Sequence, residues 1–317
     1  MSSSVDYRRK CALIIGINDY ISYPLKYCIN DAEDINEVLE RIDFETTLIL
    51  NCNMQKFYAA IDQFVEMIDE NDLVLVYFAG HGKQIDEKNY LIPSDYDYNH
   101  RGYERDYIAD HAINIEYITT KIDRQKCPVT IYLFDCCRNQ VRHRSQVMND
   151  GLGAMAAPLQ TLIVYSCAPG KSVLDETSNN RNGSFIENLL KYIEKADKDI
   201  EEIMKRVAND VNSQTRGVQL PYRTSSLTKN VYLVKSDDDQ NSKFYSNDYS
   251  IRCKGRACAH CHRCRDWYWH FVNGKMRHTK RSNARCILMD KAYYDDEDNY
   301  KDSDFHVVCQ CENNKKI

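Results

Sequence analysis

The stretch VTIYLFDCCRNQ, residues 129–140, runs through six mostly apolar, branched or aromatic residues into an aspartate, two adjacent cysteines and an arginine. A continuous rather than alternating apolar run suits a strand covered on both faces, as in a parallel sheet. Similar runs occur at CALIIGI (11–17), TTLILN (46–51), LVLVYFA (73–79), TLIVYS (161–166) and VYLV (231–234). Helical periodicity lies between them. In 30–41, Ile35, Val38 and Leu39 make one apolar face; in 54–68, Phe57, Ala60, Ile61, Phe64, Val65 and Ile68 do. Segments 113–124, 184–195 and 199–214 read the same way. The alternation predicts a three-layer α/β domain with a mostly parallel central sheet over roughly 8–235.

Ligands in such sheets sit beyond the carboxyl ends of the strands, so the residues just after each strand carry the chemistry. The run 73–79 is followed by Gly80-His81-Gly82, and 129–134 by Asp135-Cys136-Cys137-Arg138. Alone, a histidine after a strand is usually a turn residue, and a cysteine ending an apolar strand is usually a small core residue. Together they supply a nucleophile and a base at one sheet edge. The flanking glycines permit a tight turn and a backbone amide aimed at a substrate oxygen. Side chains alternate along an extended strand, so Asp135 and Cys137 share a face and Cys136 points the other way. Cys137 is therefore the expected nucleophile.

YFAGHG (77–82) followed by FDCCRNQ (134–140) resembles the caspase-like cysteine peptidases, and paracaspases most closely within the paracaspase/metacaspase group. LIIGINDY (13–20), LKYCINDAEDI (25–35), NYLIPSD (89–95), VYSCAPGKSV (164–173), GSFIENLL (183–190) and QLPYRTSSL (219–227) resemble further family segments in order, covering about 10–235. The resemblance implies a thiolate attack by Cys137 on a peptide carbonyl. His81 serves as general acid, and the Gly82 and Cys137 backbone amides hold the oxyanion. It also implies that Asp31 joins Asp135 in the pocket for the residue preceding the cut (P1). Caspases that cut after aspartate have a neutral glutamine at the place of Asp135, whereas a carboxylate there favours arginine or lysine. Unit charges ~4 Å apart at an effective dielectric of ~20 interact by about 4 kcal/mol before desolvation, enough to set that preference. Paired carboxylates suit the planar guanidinium best. Asp31 also reads as a first-turn helix carboxylate with Asn30 as a cap. The family's third pocket acid has no match: Ser172 stands near its place, with Asp175 and Glu176 as neighbours. Arg142 and Arg144, in the non-periodic stretch 138–160, are candidate self-cleavage sites or part of a solvated loop.

The remaining features bound the surroundings. The 317 residues carry a formal net charge of −5, so no overall basic field argues for nucleic acid. The apolar run near the N-terminus is too short for a signal peptide or a membrane span, so the expectation is a cytoplasmic protein with no membrane partner. Its 14 cysteines should then be mostly reduced. The domain 1–235 is followed by a polar, acidic linker (236–250) and a small cysteine-rich domain (251–317). There Cys253, Cys258, Cys261 and Cys264 have a spacing that suits structural zinc, with Cys286, His306, Cys309 and Cys311 following; disulfides and free thiols are the alternatives. Residues 251–286 carry ten Lys/Arg against one acid, together with WYWHF (267–271). Such a patch can bind single-stranded nucleic acid or acidic peptides, but the acidic run 293–304 can neutralise it internally, and that reading is preferred. Catalysis needs no cofactor in this scheme. The expected partners are protein substrates, and the family implies a homodimer through 231–234. The rival function is a non-proteolytic scaffold whose cysteine-rich tail binds a partner.

Overall fold

A computed structural model of the chain describes residues 4–98, 102–136, 149–168 and 179–236, together with the backbone of 267–272 and 275–280. The strands are β1 (Arg9–Gly16), β2 (Phe44–Leu50), β3 (Asp72–Gly80), β4 (Gly82–Ile85), β5 (Lys88–Leu91), β6 (Ile113–Asn114), β7 (Val129–Cys136), β8 (Asn149–Asp150), β9 (Thr161–Tyr165) and β10 (Tyr222–Ser225). The helices are α1 (Cys28–Arg41), α2 (Met54–Met67), α3 (Glu104–His111), α4 (Ile115–Asp123), α5 (Ser184–Leu189) and α6 (Ile200–Gln214). These elements lie in one compact unit, Met1–Asp237. The second unit, Asp238–Ile317, holds a hairpin of β11 (Trp267–Val272) and β12 (Lys275–Lys280), paired antiparallel. The zinc-type cysteines lie outside the described residues.

The main sheet has the order β10-β9-β7-β3-β1-β2. It is parallel except at one edge, where β10 runs antiparallel to β9. The central strand β3 is buried along its whole length, which is why its sequence is uninterrupted by polar residues between Leu73 and Ala79. Two apolar layers cover the faces. Phe57, Ile61 and Phe64 of α2 and Ile115, Ile118 and Ile122 of α4 share one core with Leu13, Ile15, Val76, Phe78, Tyr132 and Phe134. Ile35 and Leu39 of α1, with Ile203, Val207 and Val211 of α6, share the other with Ile14, Leu75, Tyr77, Ile131 and Leu133. The caspase-like three-layer α/β reading thus describes this unit.

Three segments differ from the sequence reading. Residues 231–234 are not a sheet strand. Val231 and Leu233 are buried, and the local backbone bonds are spent on the approach to α6: the Ile200 amide donates to Val231 O at 2.8 Å, and the Val231 amide to Asp199 Oδ1 at 2.8 Å. The sheet edge is β10 instead. Helix α3 went unread because its only buried apolar residue is Ile108, leaving no stripe to detect. The β4–β5 hairpin, turned by Asp86 and Glu87 with φ of 49° and 64°, is too short to show a period.

Asp72 fastens the start of β3. Its carboxylate is buried and takes both Arg9 Nη2 at 2.6 Å and Arg9 Nε at 3.2 Å, together with the Asp69 amide at 2.8 Å. Burial alone would raise its pKa; Arg9 and the amide outweigh that and lower it. Asp72→Ala should lower the unfolding free energy by about 2–3 kcal/mol, less than for a fully buried pair because Arg9 stays partly in water. Because the folded pKa is lowered, this stabilisation is present above the unfolded value and lost as pH falls through the folded one. Denaturant curves should therefore show the gap between wild type and variant closing in acid.

Candidate active site

Strands β3 and β7 pair in parallel with Ala79 opposite Asp135 and Gly80 opposite Cys136. The next residue of each chain segment is His81 on one side and Cys137 on the other. Cys137 and the stretch to 148 lie outside the described residues. Asp135 and Cys136 divide as alternation requires. Cys136, only 2% exposed, belongs to the α2–α4 core, whereas Asp135 follows Ile131 and Leu133 on the α1–α6 face.

His81 is held from three directions. Its backbone amide donates to Tyr20 Oη at 2.9 Å, and its carbonyl accepts from the Ile92 amide at 3.0 Å. Ring atom Nε2 lies 2.6 Å from the Tyr23 carbonyl oxygen. A carbonyl only accepts, so Nε2 carries the hydrogen and Nδ1 is the nitrogen whose protonation can change. Tyr20 also packs its ring on the imidazole, centroids 4.4 Å apart, and its hydroxyl donates to Ile92 O at 3.2 Å. The fit explains Gly80: a Cβ there would come within 2.4 Å of Tyr20 Oη. Tyr23 is 78% exposed and has a left-handed backbone with φ of 60°, uncommon for a residue with a side chain. Gly82, the expected oxyanion residue, lies against the end of β7; a Cβ on it would be 3.2 Å from Cys136 Cβ.

Asp31 and Asp135 come together. Asp31 sits in the first turn of α1 and is 3% exposed. The helix is not capped by Asn30, which lies inside it and donates from Nδ2 to Arg181 O at 3.0 Å. The meeting place is marked by Gly183. A Cβ there would stand 3.1 Å from Asp31 Oδ2 and 3.8 Å from Asp135 Oδ2, so both carboxylates border one small space that only a glycine leaves open. The Gly183 amide donates to Asp31 Oδ1 at 2.9 Å. Burial raises the Asp31 pKa, the Asp135 charge raises it further, and the Gly183 amide and Asn182 side chain oppose the shift. Burial also raises that of Asp135, with the Ser166 hydroxyl opposing. Nearby, Arg181 bonds Asp34 through Nε at 2.8 Å and Nη2 at 2.5 Å, leaving Asp31 and Asp135 without an arginine or lysine partner among the described residues.

The sequence reading did not pick out Tyr20, Tyr23 or Gly183 as site residues. Their only signal is position: two lie in the loop after β1 and the third precedes α5, all at the sheet's carboxyl edge. Ser172, Asp175, Glu176, Arg142 and Arg144 lie outside the described residues, as do Cys253, Cys258, Cys261 and Cys264. Among the described residues, no cluster of three or more His, Cys, Asp or Glu side chains could hold a metal ion, and no helix is long and apolar enough to cross a membrane.

Tyr20→Phe keeps the ring but leaves the His81 amide without its acceptor, and should lower the unfolding free energy by about 1–3 kcal/mol. Tyr20→Leu should in addition shift the His81 imidazole titration, followed by NMR. Unchanged stability and titration would show that Tyr20 does not hold the histidine.

The comparisons with known proteins agree with this fold. The caspase domain family profile matches residues 9–232. The human mucosa-associated lymphoid tissue lymphoma translocation protein 1 is 25% identical over 255 residues, covering 79% of this chain and 29% of its own length. The mouse homolog is 24% identical over 224 residues, covering 69% of this chain and 26% of its own. The chain therefore spans less than a third of these curated relatives. Among solved structures, caspase-1 from Spodoptera frugiperda superposes with a TM-score of 0.54 at 17% identity, covering 74% of this chain and 93% of its own. The Drosophila initiator caspase Dronc gives 0.52 at 15% identity, with 74% and 87% covered. With the profile spanning most of its length, and with the paracaspase-like motifs falling inside that span, the chain belongs to the caspase domain family of cysteine peptidases.

Proposed function

We propose that this chain is a cysteine endopeptidase that cuts after arginine, and also after lysine, through Cys137 and His81. The observation carrying the specificity is the pair of carboxylates, Asp31 buried and Asp135 half-buried, around one space without a cationic partner among the described residues. Two like charges removed from water are costly, and a cationic side chain entering between them removes that cost. The guanidinium of arginine matches two carboxylates with its planar array of donors; the lysine ammonium offers a single charged point.

The reaction follows from the anchoring of His81. The Cys137 thiolate attacks the carbonyl carbon after the basic residue, and the Gly82 and Cys137 amides hold the developing oxyanion. As the C–N bond breaks, the proton on His81 Nδ1 passes to the leaving amine, while the Nε2 hydrogen stays on Nε2, donated to the Tyr23 carbonyl. Water then hydrolyses the thioester, giving its proton to Nδ1 as the C–S bond breaks and restoring the thiolate–imidazolium pair. The proposal includes a cytoplasmic location, in keeping with the described residues holding no helix long and apolar enough to cross a membrane, and structural zinc on Cys253, Cys258, Cys261 and Cys264, resting on ligand spacing.

A fluorogenic peptide panel with Arg, Lys and Asp at P1 tests the reading. Cleavage should follow Arg most, then Lys, and vanish in Cys137→Ala. Cleavage after Asp alone would overturn the specificity, and no cleavage, with calcium and dimerising salts included, would favour the scaffold.

The carboxylate pair predicts a pH signature. Both folded pKa values are raised, so the pair retains protons to higher pH than ordinary carboxylates. The rate on arginine substrates should climb as pH rises through their ionisation. A raised folded pKa also means that stability is fully present below the ordinary carboxylate value of 3.8 and is lost as pH rises through the folded value. Asp31→Asn keeps an oxygen for the Gly183 amide but removes the charge. It should melt higher than wild type in mild alkali, melt about equally below the ordinary carboxylate range, and lose at least tenfold in arginine cleavage. Melting differences independent of pH would contradict the paired-carboxylate account.

A further inference from the structure

Four buried side-chain polar atoms have no protein hydrogen-bond partner among the described residues: Asn36 Oδ1, Tyr77 Oη, Ser166 Oγ and Ser184 Oγ. Three of the four belong to residues around the Asp31–Asp135 pair. Tyr77 is fully buried on β3, two residues before Ala79, the direct neighbour of Asp135 across the β3–β7 ladder. Tyr77 and Leu133 belong to the α1–α6 core, so Tyr77 and Asp135 are diagonal neighbours on one face, with only the small Ala79 side chain beside them. The Tyr77 pKa is driven up by burial and then by the charges of Asp135 and Asp31, so both carboxylates act on this phenol. Ser166 follows β9, and its amide donates to Phe134 O at 3.0 Å, next to Asp135 in sequence. Its hydroxyl is near enough to favour the ionised form of Asp135, yet makes no hydrogen bond of ordinary geometry with it. Ser184 directly follows Gly183, the residue facing both acids.

A buried hydroxyl without a partner costs about 1–3 kcal/mol, and folded proteins leave few of them. Three such groups gathered at one pair of acids call for a shared explanation. We propose that the hydroxyls of Tyr77, Ser166 and Ser184 complete the Asp31–Asp135 pocket as a second tier of acceptors for a guanidinium, and thereby favour arginine over lysine. This rests on the basic-residue specificity proposed above and assigns new groups to it. Each hydroxyl has lone pairs to accept a guanidinium N–H and a hydrogen to donate to a carboxylate. Guanidinium brings five N–H donors spread over a plane, so acceptors placed around that plane can add to the two acids, one of which already accepts the Gly183 amide. An ammonium brings three donors on one atom and makes less use of a second tier.

The test uses Tyr77→Phe, Ser166→Ala and Ser184→Ala in the full chain, with three readouts. The first is the ratio of kcat/KM on peptides differing only in Arg or Lys at P1. The second is calorimetric binding of peptides ending in arginine amide or lysine amide to the same variants in a Cys137→Ala background. The third is the melting midpoint. The expected result is a fall in the Arg:Lys ratio of about fivefold or more for Tyr77→Phe, a parallel loss of arginine-amide affinity, and a midpoint unchanged or raised, because the deleted hydroxyl had no protein partner. Each serine variant should move the ratio in the same direction, which keeps the test decisive if one variant fails to fold. An Arg:Lys ratio and arginine-amide affinity within twofold of wild type in the folded variants would overturn the proposal, whatever the midpoint, and would assign the hydroxyls to bound water or to packing. If the wild type cleaves neither peptide, the proteolytic reading fails. Amide binding then decides the pocket separately: preferential arginine binding lost in Tyr77→Phe sustains it, and equal binding of both amides refutes it.

Discussion

The parallel pairing of β3 with β7 is the constraint on which the site depends. The two strands end level, Gly80 beside Cys136, so the loops that leave them start side by side. Side-chain period in a strand is two, and a slip of one residue would turn Asp135 into the α2–α4 core and Cys136 toward α1. That slip is opposed by every apolar residue of both strands, since β3 and the first six residues of β7 are buried throughout. Register, and with it the identity of the residue facing the pocket, is therefore enforced by hydrophobic burial far from the chemistry.

At Asp31 two electrostatic effects compete. A carboxylate in the first turn of a helix gains about 0.3–1 kcal/mol from the helix dipole, whereas the effective penalty for burying an ion is several kcal/mol. Burial wins, and the second acid at Asp135 adds to it, which is why the Asp31 pKa rises although its position in the helix favours the charge. The Gly183 amide and the Asn182 side chain offset only part of this. Arg181 could have neutralised the pair but is held by Asp34, so the two acids keep no arginine or lysine partner among the described residues.

Much of the first unit was legible in the sequence because burial on both faces writes continuous apolar runs; five of the six runs read as strands are strands of the main sheet. The exception, VYLV at 231–234, is equally apolar, but its burial comes from packing near α6, and an apolar run does not say which kind of burial it records. Strand β10, by contrast, holds YRTS at an edge and carries no apolar signature. Of the candidate site, the opposite facing of Asp135 and Cys136 was legible from alternation, and the expected pairing of Asp31 with Asp135 came from family resemblance. Tyr20 and Tyr23 were not, because their roles depend on a hydroxyl and a carbonyl reaching His81 across about sixty residues of chain, and no local period encodes that. The hydroxyls of Tyr77 and Ser166 were hidden for a related reason: in sequence each is one more residue at the end of a core strand.

The pocket draws on α1, on β7 and on the turn before α5, and Gly183 donates to Asp31 across 152 positions of sequence. Contacts that distant close large loops and form late when a chain folds. Before β7 and the 179–183 turn have docked on α1, the two acids do not share a space. A chain still emerging from synthesis, or one partly unfolded, thus has both acids but not the space they share. On the proposed function, completion of the tertiary structure is itself the first safeguard on where the chain can cut.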